Sequence, residues 1–338
     1  MPVRRLQLAP YGVLLGLSVG LIVGVAVAQF AKPEGGLVYR DIPVAEGALS
    51  RGDDPSAAGP PAFEVEPQPG APPVAPAMTL LEPGPYGALP RIAPDGTTPF
   101  TYYTRADSPP PRDVPLLSLV VIDAGLARDP TVRALELPPP IAIAFSPYAP
   151  ALEAWMRLAR ARGHETLLEL PVAGSGWYDD AGPLGLAAGE PERPQLVLQR
   201  LLARGQGYFA VVLAGAGDMG EARLPAGVLP ELARRGLGLV EVDGATLREA
   251  ARNAAIPYLG GASVLDAEPS PAAVDWALGA LEARALELGG ALGVFRPSPL
   301  LLDRLRQWLP SLPEKGLLLV PPSRLFDRLG AAEGAGAS

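Results

Sequence analysis

The chain has 338 residues, a formal net charge of −8, 42 prolines, 39 glycines and no cysteine. That length holds one large domain or two small ones, and the negative charge argues against a broad phosphate-binding surface, so no nucleic acid is expected as a partner. Absence of cysteine removes disulfides, thiolate nucleophiles and Cys-ligated zinc. A single histidine, His164, removes the paired imidazoles of a catalytic zinc site and leaves little for acid–base work near neutrality.

At the N-terminus, Arg4 and Arg5 precede an uncharged, mostly apolar run over residues 8–28. About 20 apolar residues span a bilayer as a helix. The basic flank predicts that this end stays in the cytoplasm and the remainder is exported, so residues 1–30 are expected to be a cytoplasmic tip and inner-membrane anchor with the folded part in the periplasm. Cleavage near Ala28, giving a secreted protein, is the alternative, because Ala26-Val27-Ala28 has the small-x-small form of a signal-peptide site. Gly12, Gly16, Gly20 and Gly24 recur at every fourth position, on one helix stripe where two backbones can approach closely, which fits self-association.

Residues 31–115 carry nineteen of the 42 prolines with no sustained period of 2 or 3.6, and are expected to form an extended or disordered stalk. Within it, residues 100–103 (Phe-Thr-Tyr-Tyr) are a short apolar island that suits a strand-like edge contact with the domain.

After Pro115 the pattern becomes regular. Short apolar runs at 116–123, 141–145, 166–170, 208–213, 237–243, 291–295 and 317–320 read as strands buried on both faces. Amphipathic stretches at 152–162, 195–203, 272–288 and 300–309 lie between them. This alternation predicts an α/β fold, a distorted (β/α) barrel of about seven parallel strands over 116–328, with 329–338 as a flexible tail. An open doubly wound sheet is the competing architecture. In a barrel, chemistry collects at the C-terminal ends of the strands. Asp123, Glu169, Asp243 and Arg296 fall there, whereas His164 precedes its strand and belongs to the opposite end as a capping or loop residue. Trp177 and Tyr178, on the loop after Pro171, offer an aromatic binding platform, or else tuck under the domain.

Gly215-Ala216-Gly217-Asp218-Met219-Gly220, followed by Glu241 and Asp243, has the outline of a dinucleotide-binding turn. Pro225, Gly227 and Pro230 break the helix such a turn needs, so nucleotide binding is not expected.

Several strings together carry a family resemblance. They are Val120-Val121-Ile122-Asp123-Ala124-Gly125, Ala144-Phe145-Ser146-Pro147-Tyr148-Ala149 and Arg162-Gly163-His164-Glu165-Thr166-Leu167-Leu168-Glu169-Leu170-Pro171, then Gly207-Tyr208-Phe209-Ala210-Val211, Val242-Asp243 and Arg296-Pro297-Ser298-Pro299. In that order and spacing the chain resembles the divergent polysaccharide deacetylases over roughly residues 116–325. The resemblance implies a barrel related to carbohydrate deacetylases that use a divalent metal such as zinc, with an Asp-Asp pair ending the first strand and histidines at later strand ends. Here the matching positions read Ala124, Ala214 and Arg296, and only Asp123, the vestigial base position, and Asp243 persist. The expectation is therefore a family member that holds no metal or other cofactor and binds an envelope polysaccharide or an envelope protein. An active deacetylase or hydrolase using Asp123, Glu169 and Asp243 as a carboxylate-only site is the alternative.

Overall fold

Residues 59–60, 68–172, 184–186, 193–213 and 224–335 are described by a computed structural model of the chain. The first two strands, β1 (Leu81–Gly84) and β2 (Gly87–Pro90), form an antiparallel hairpin. Eight further strands follow: β3 (Leu116–Ala124), β4 (Ala142–Phe145), β5 (Thr166–Leu170), β6 (Ala210–Leu213), β7 (Gly238–Val242), β8 (Tyr258–Val264), β9 (Gly290–Phe295) and β10 (Leu318–Leu319). Among these run the helices α1 (Pro99–Tyr102), α2 (Arg128–Ala134), α3 (Leu152–Ala161), α4 (Arg193–Leu202), α5 (Val228–Arg234), α6 (Arg248–Asn253), α7 (Pro271–Leu288), α8 (Pro299–Trp308) and α9 (Pro322–Ala335).

Strands β3 to β9 pair in sequence order, all parallel, and β3 also pairs β9 from Leu116↔Gly290 to Val121↔Phe295. The sheet therefore closes into a seven-stranded barrel. The run at 317–320, expected as one of the seven, supplies only the short β10 beside Leu116 and Leu117. The missing member is β8. Its centre, Gly260-Gly261, breaks the apolar pattern because it is a bulge: both glycines stand opposite Glu241 alone, and Gly261 has φ +72. Glycine is the residue for such an extra, left-handed position in a strand.

Alternate strand residues enter two separate apolar layers, as the period of 2 requires. Leu117, Leu119, Val121, Ile143, Phe145, Leu168 and Leu170 pack outward against the helices. Val120, Ile122, Ala142, Ala144, Leu167, Ala210, Val212, Val240, Ala262 and Val294 fill the barrel interior. At the end opposite the strand C-termini the interior is stoppered by Phe100, Phe209 and Phe326, whose ring centroids lie 5.2–6.1 Å apart.

Phe100 comes from the segment expected to be stalk, and here the sequence expectation is corrected: residues 68–115 are folded against the barrel. The apolar island is a helical turn, not a strand, because Pro99 opens it and Thr98 and Thr101 cap each other's backbone N–H groups. Arginines hold the rest of this strap, among them Arg324 and Arg328 of α9, which donate to carbonyls between Arg105 and Val114. Prolines supply carbonyl acceptors without N–H donors, and a guanidinium supplies five donors and no acceptor, so the two are complementary. Arg160, fully buried on α3, donates to the carbonyls of Pro73 and Val74 on the strap and of Gln206 and Gly207 on the barrel, at 2.8–3.2 Å. Its guanidinium touches Gly207 so closely that a Cβ there would lie 2.5 Å from Cζ. Arg105 bonds Gly163 and Pro69, and Arg235 bonds Pro90 and Glu82. Burial lowers the Arg160 pKa to about 10, which leaves it charged at neutral pH. At the other end of the chain, α9 continues to Ala335, into the stretch expected as a tail; Ala331 and Ala332 are strong helix formers.

Candidate functional site at the barrel mouth

The mouth is built at the strand C-termini. At the end of β3, Ile122 and Asp123 together stand opposite Ala144 alone, a one-residue bulge that turns Asp123 to φ +58. Asp243, immediately after β7, also has φ +58. Aspartate tolerates the left-handed region better than most residues, but it is strained there, and such strain gathers at functional sites.

Three of the four expected mouth residues meet. The backbone N–H of Asp123 donates to Oε1 of Glu169 at 2.5 Å. Glu169 shares the interior face of β5 with Leu167 and is 2% exposed. Arg296, directly after β9, donates through Nε to Oδ2 of Asp123 at 2.7 Å. Asp243 stands at the same end of the barrel, but its carboxylate makes no hydrogen bond or ion pair among the described residues. Partial burial raises its pKa.

A fifth residue was not visible in the sequence. Asp266 follows β8 and faces Arg296, its Oδ2 accepting from the Arg296 backbone N–H at 3.3 Å and from Nη1 at 3.5 Å. Burial pushes the Asp266 carboxyl up, and Arg296 pulls it partly back. Its other oxygen, Oδ1, is buried without a hydrogen-bond partner among the described residues. Its signal would have been its place after a strand end, and that signal vanished with the unrecognised β8.

His164 lies away from the mouth. It is fully buried before β5, with Nδ1 2.7 Å from the carbonyl oxygen of Ile141 and Nε2 3.3 Å from that of Leu135; burial lowers its pKa. Glu241 faces outward from β7 and accepts from Thr246 N and Oγ1, Leu247 N and Tyr258 Oη, which makes it the anchor of the β7–α6 turn. Trp177, Tyr178, Ala214, the glycine-rich turn at 215–220 and the apolar N-terminal run with its glycine stripe all lie outside the described residues.

The family model for divergent polysaccharide deacetylases matches residues 119–326, from the third residue after the start of β3 into α9. The chain belongs to that family. Among solved structures, an uncharacterized protein from Agrobacterium tumefaciens C58 is similar: 27% identity, a TM-score of 0.63, and coverage of 71% of this chain and 99% of that one. No curated protein matches the chain.

Whether the divalent metal of the deacetylase relatives fits can be judged from the donor set. Asp123 already carries a guanidinium on Oδ2. Ala124 is fully buried in the apolar layer between strands and helices, beside Phe145 and Ala149, and offers no ligand. Among the described residues no group of three His, Cys, Asp or Glu side chains is placed to hold a metal. The donors among the described residues do not fit a deacetylase metal.

Proposed function

We propose that this divergent polysaccharide deacetylase is a cell-envelope binding module that uses the barrel mouth to hold a polysaccharide and performs no metal-dependent deacetylation. One observation carries the reading: Arg296 is bonded to Asp123 at 2.7 Å, in the place where the family resemblance puts a metal and its ligands. Asp243, on a strained backbone and with no hydrogen bond or ion pair to its carboxylate among the described residues, supports it, since a carboxylate held at a barrel mouth can accept from paired sugar hydroxyls. Trp177 and Tyr178 are the expected stacking surface. The apolar run at 8–28 supports an inner-membrane anchor with the barrel in the periplasm, and Gly12, Gly16, Gly20 and Gly24 support self-association through it.

Binding of the full-length chain to chitin and peptidoglycan oligosaccharides, compared with Asp243→Asn and Trp177→Ala, tests the ligand. The proposal expects saturable binding that both substitutions weaken. Capture of an envelope protein with no glycan bound would reassign the mouth to a protein partner.

A second reading has its own observation: burial raises the pKa of both Asp243 and Asp266, as a carboxyl acting as general acid requires. Release of acetate or of new reducing ends from the same oligosaccharides, abolished by Asp123→Ala, would establish a carboxylate-only hydrolase in place of a binding module.

A further inference from the structure

The mismatch between a metal site and this mouth leaves a positive pattern. Two carboxylates from different strand ends, Asp123 after β3 and Asp266 after β8, converge on one cation from a third, Arg296 after β9. The contacts are Nε to Asp123 Oδ2 at 2.7 Å, Nη1 to Asp266 Oδ2 at 3.5 Å, and the Arg296 backbone N–H to the same Oδ2 at 3.3 Å. The Asp266 side chain is only 12% exposed. Glu169, also buried, braces the group from beneath by accepting the Asp123 backbone N–H. Two carboxylates thus meet one guanidinium, and a third acid braces the backbone of the first.

Carboxylates that share one cation repel each other once it is gone, and a partly buried carboxylate without a counter-ion is unstable as an anion. Something positive must stand between Asp123 and Asp266. A guanidinium is suited to the place because its charge is permanent and its planar fork reaches two acceptors at once. While it stands there, a dication approaching Asp123 meets a fixed positive charge in contact with the carboxylate it would need.

We propose that Arg296 is the built-in counter-cation of the mouth, occupying the position of a divalent ion between Asp123 and Asp266, so that the native chain excludes metal and loss of the guanidinium converts the mouth into a divalent-cation site. The donors uncovered are carboxylate oxygens, so the ion accepted is a hard one such as Ca²⁺ or Mn²⁺. This goes beyond the binding reading, and it stands whether or not a glycan is ever found there.

The test uses the full-length chain with Mn²⁺ as probe, followed by water-proton relaxation, and thermal unfolding in EDTA, Ca²⁺ or Mn²⁺. The native chain should take up no Mn²⁺ at this site and unfold at the same temperature in all three. Arg296→Gln should unfold earlier in EDTA, recover on adding Ca²⁺ or Mn²⁺, and bind Mn²⁺ roughly tenfold or more tighter than the native chain. Adding Asp123→Asn and Asp266→Asn to that variant should abolish the response, and Arg296→Lys should show none, because it keeps a cation in place. Mn²⁺ uptake by the native chain that Asp123→Asn removes would overturn the proposal. So would a folded Arg296→Gln chain indifferent to both ions. If Arg296→Gln folds only with metal present, the proposal is upheld; if it folds in neither condition while Arg296→Lys folds normally and binds Mn²⁺, it is overturned.

Discussion

Glu165, just before β5, and Ser323, in the first turn of α9, share a 2.5 Å hydrogen bond from the serine hydroxyl to Oε1 of the carboxylate. The Ser323 N–H adds a second bond at 3.1 Å, and the Arg105 N–H a third at 2.8 Å, so one buried side chain ties together the strap, the start of β5 and α9. Burial raises the Glu165 pKa to about 7, against the hydrogen bonds that favour its anion. The folded chain therefore keeps this proton over a range where the unfolded chain has lost it, and stability falls as pH rises from about 4.5 to about 7. His164 next to it acts in the opposite sense. Burial lowers its pKa, so the unfolded chain gains a proton below about 6.5 that the folded chain refuses, and stability falls as pH falls. Glu165→Gln removes only the first effect. Its urea midpoint should rise with pH between 5 and 6.5, and its stability relative to the native chain should increase by on the order of 3 kcal/mol between pH 4.5 and pH 7.5. A constant difference across that range would mean that Glu165 is ionised in the folded chain throughout.

Arg160→Met is expected to free the strap. The carbonyls of Pro73, Val74, Gln206 and Gly207 lose their donor together, and a loss of on the order of 3 kcal/mol or more follows from leaving buried acceptors unsatisfied. Limited proteolysis should cut the variant first within residues 68–80, before any cut in the barrel. Gly207→Ala should open the same segment by pushing the guanidinium aside.

Asp243 gives a clean measure of backbone strain because its carboxylate has no partner among the described residues. At φ +58, alanine pays the left-handed penalty and glycine does not. Asp243→Ala should therefore be less stable than Asp243→Gly by about 1 kcal/mol, read from urea midpoints at unchanged slope.

Phe326→Ala removes one of the three rings that stopper the barrel. Phe326 meets Phe100 edge-on at 5.2 Å and Phe209 at 6.1 Å. A loss of about 3–4 kcal/mol is expected from the cavity left behind, by calorimetry or urea titration.

Six of the barrel strands were legible because burial on both faces writes them as unbroken apolar runs, and α3, α4, α7 and α8 because their burial is one-sided; the short α2, α5 and α6 carry too few turns to show that period. What hid β8 was local: the bulge at Gly260-Gly261 replaces two apolar positions with glycine, and Asp266 beyond it lost its context. What hid the strap was remote. Its composition is that of a chain unable to bury its own surface, and the groups that hold it, Arg160 on α3 and Arg235 after α5, lie far along the sequence. Of the site, the positions of Asp123, Glu169 and Arg296 could be read from strand ends. Their direct contact could not, because it depends on the bulge that turns Asp123 toward Arg296.

The pairing of β3 with β9 bears on how the chain folds as it is made. The ring has no edge only when the first barrel strand meets the last, so every shorter nascent chain carries an open sheet with two unpaired margins, each a template for a neighbouring chain. Truncations that stop before Gly290 should accumulate as aggregates instead of smaller soluble barrels, and maturation should depend on a helper that shields those margins until residue 295 has emerged.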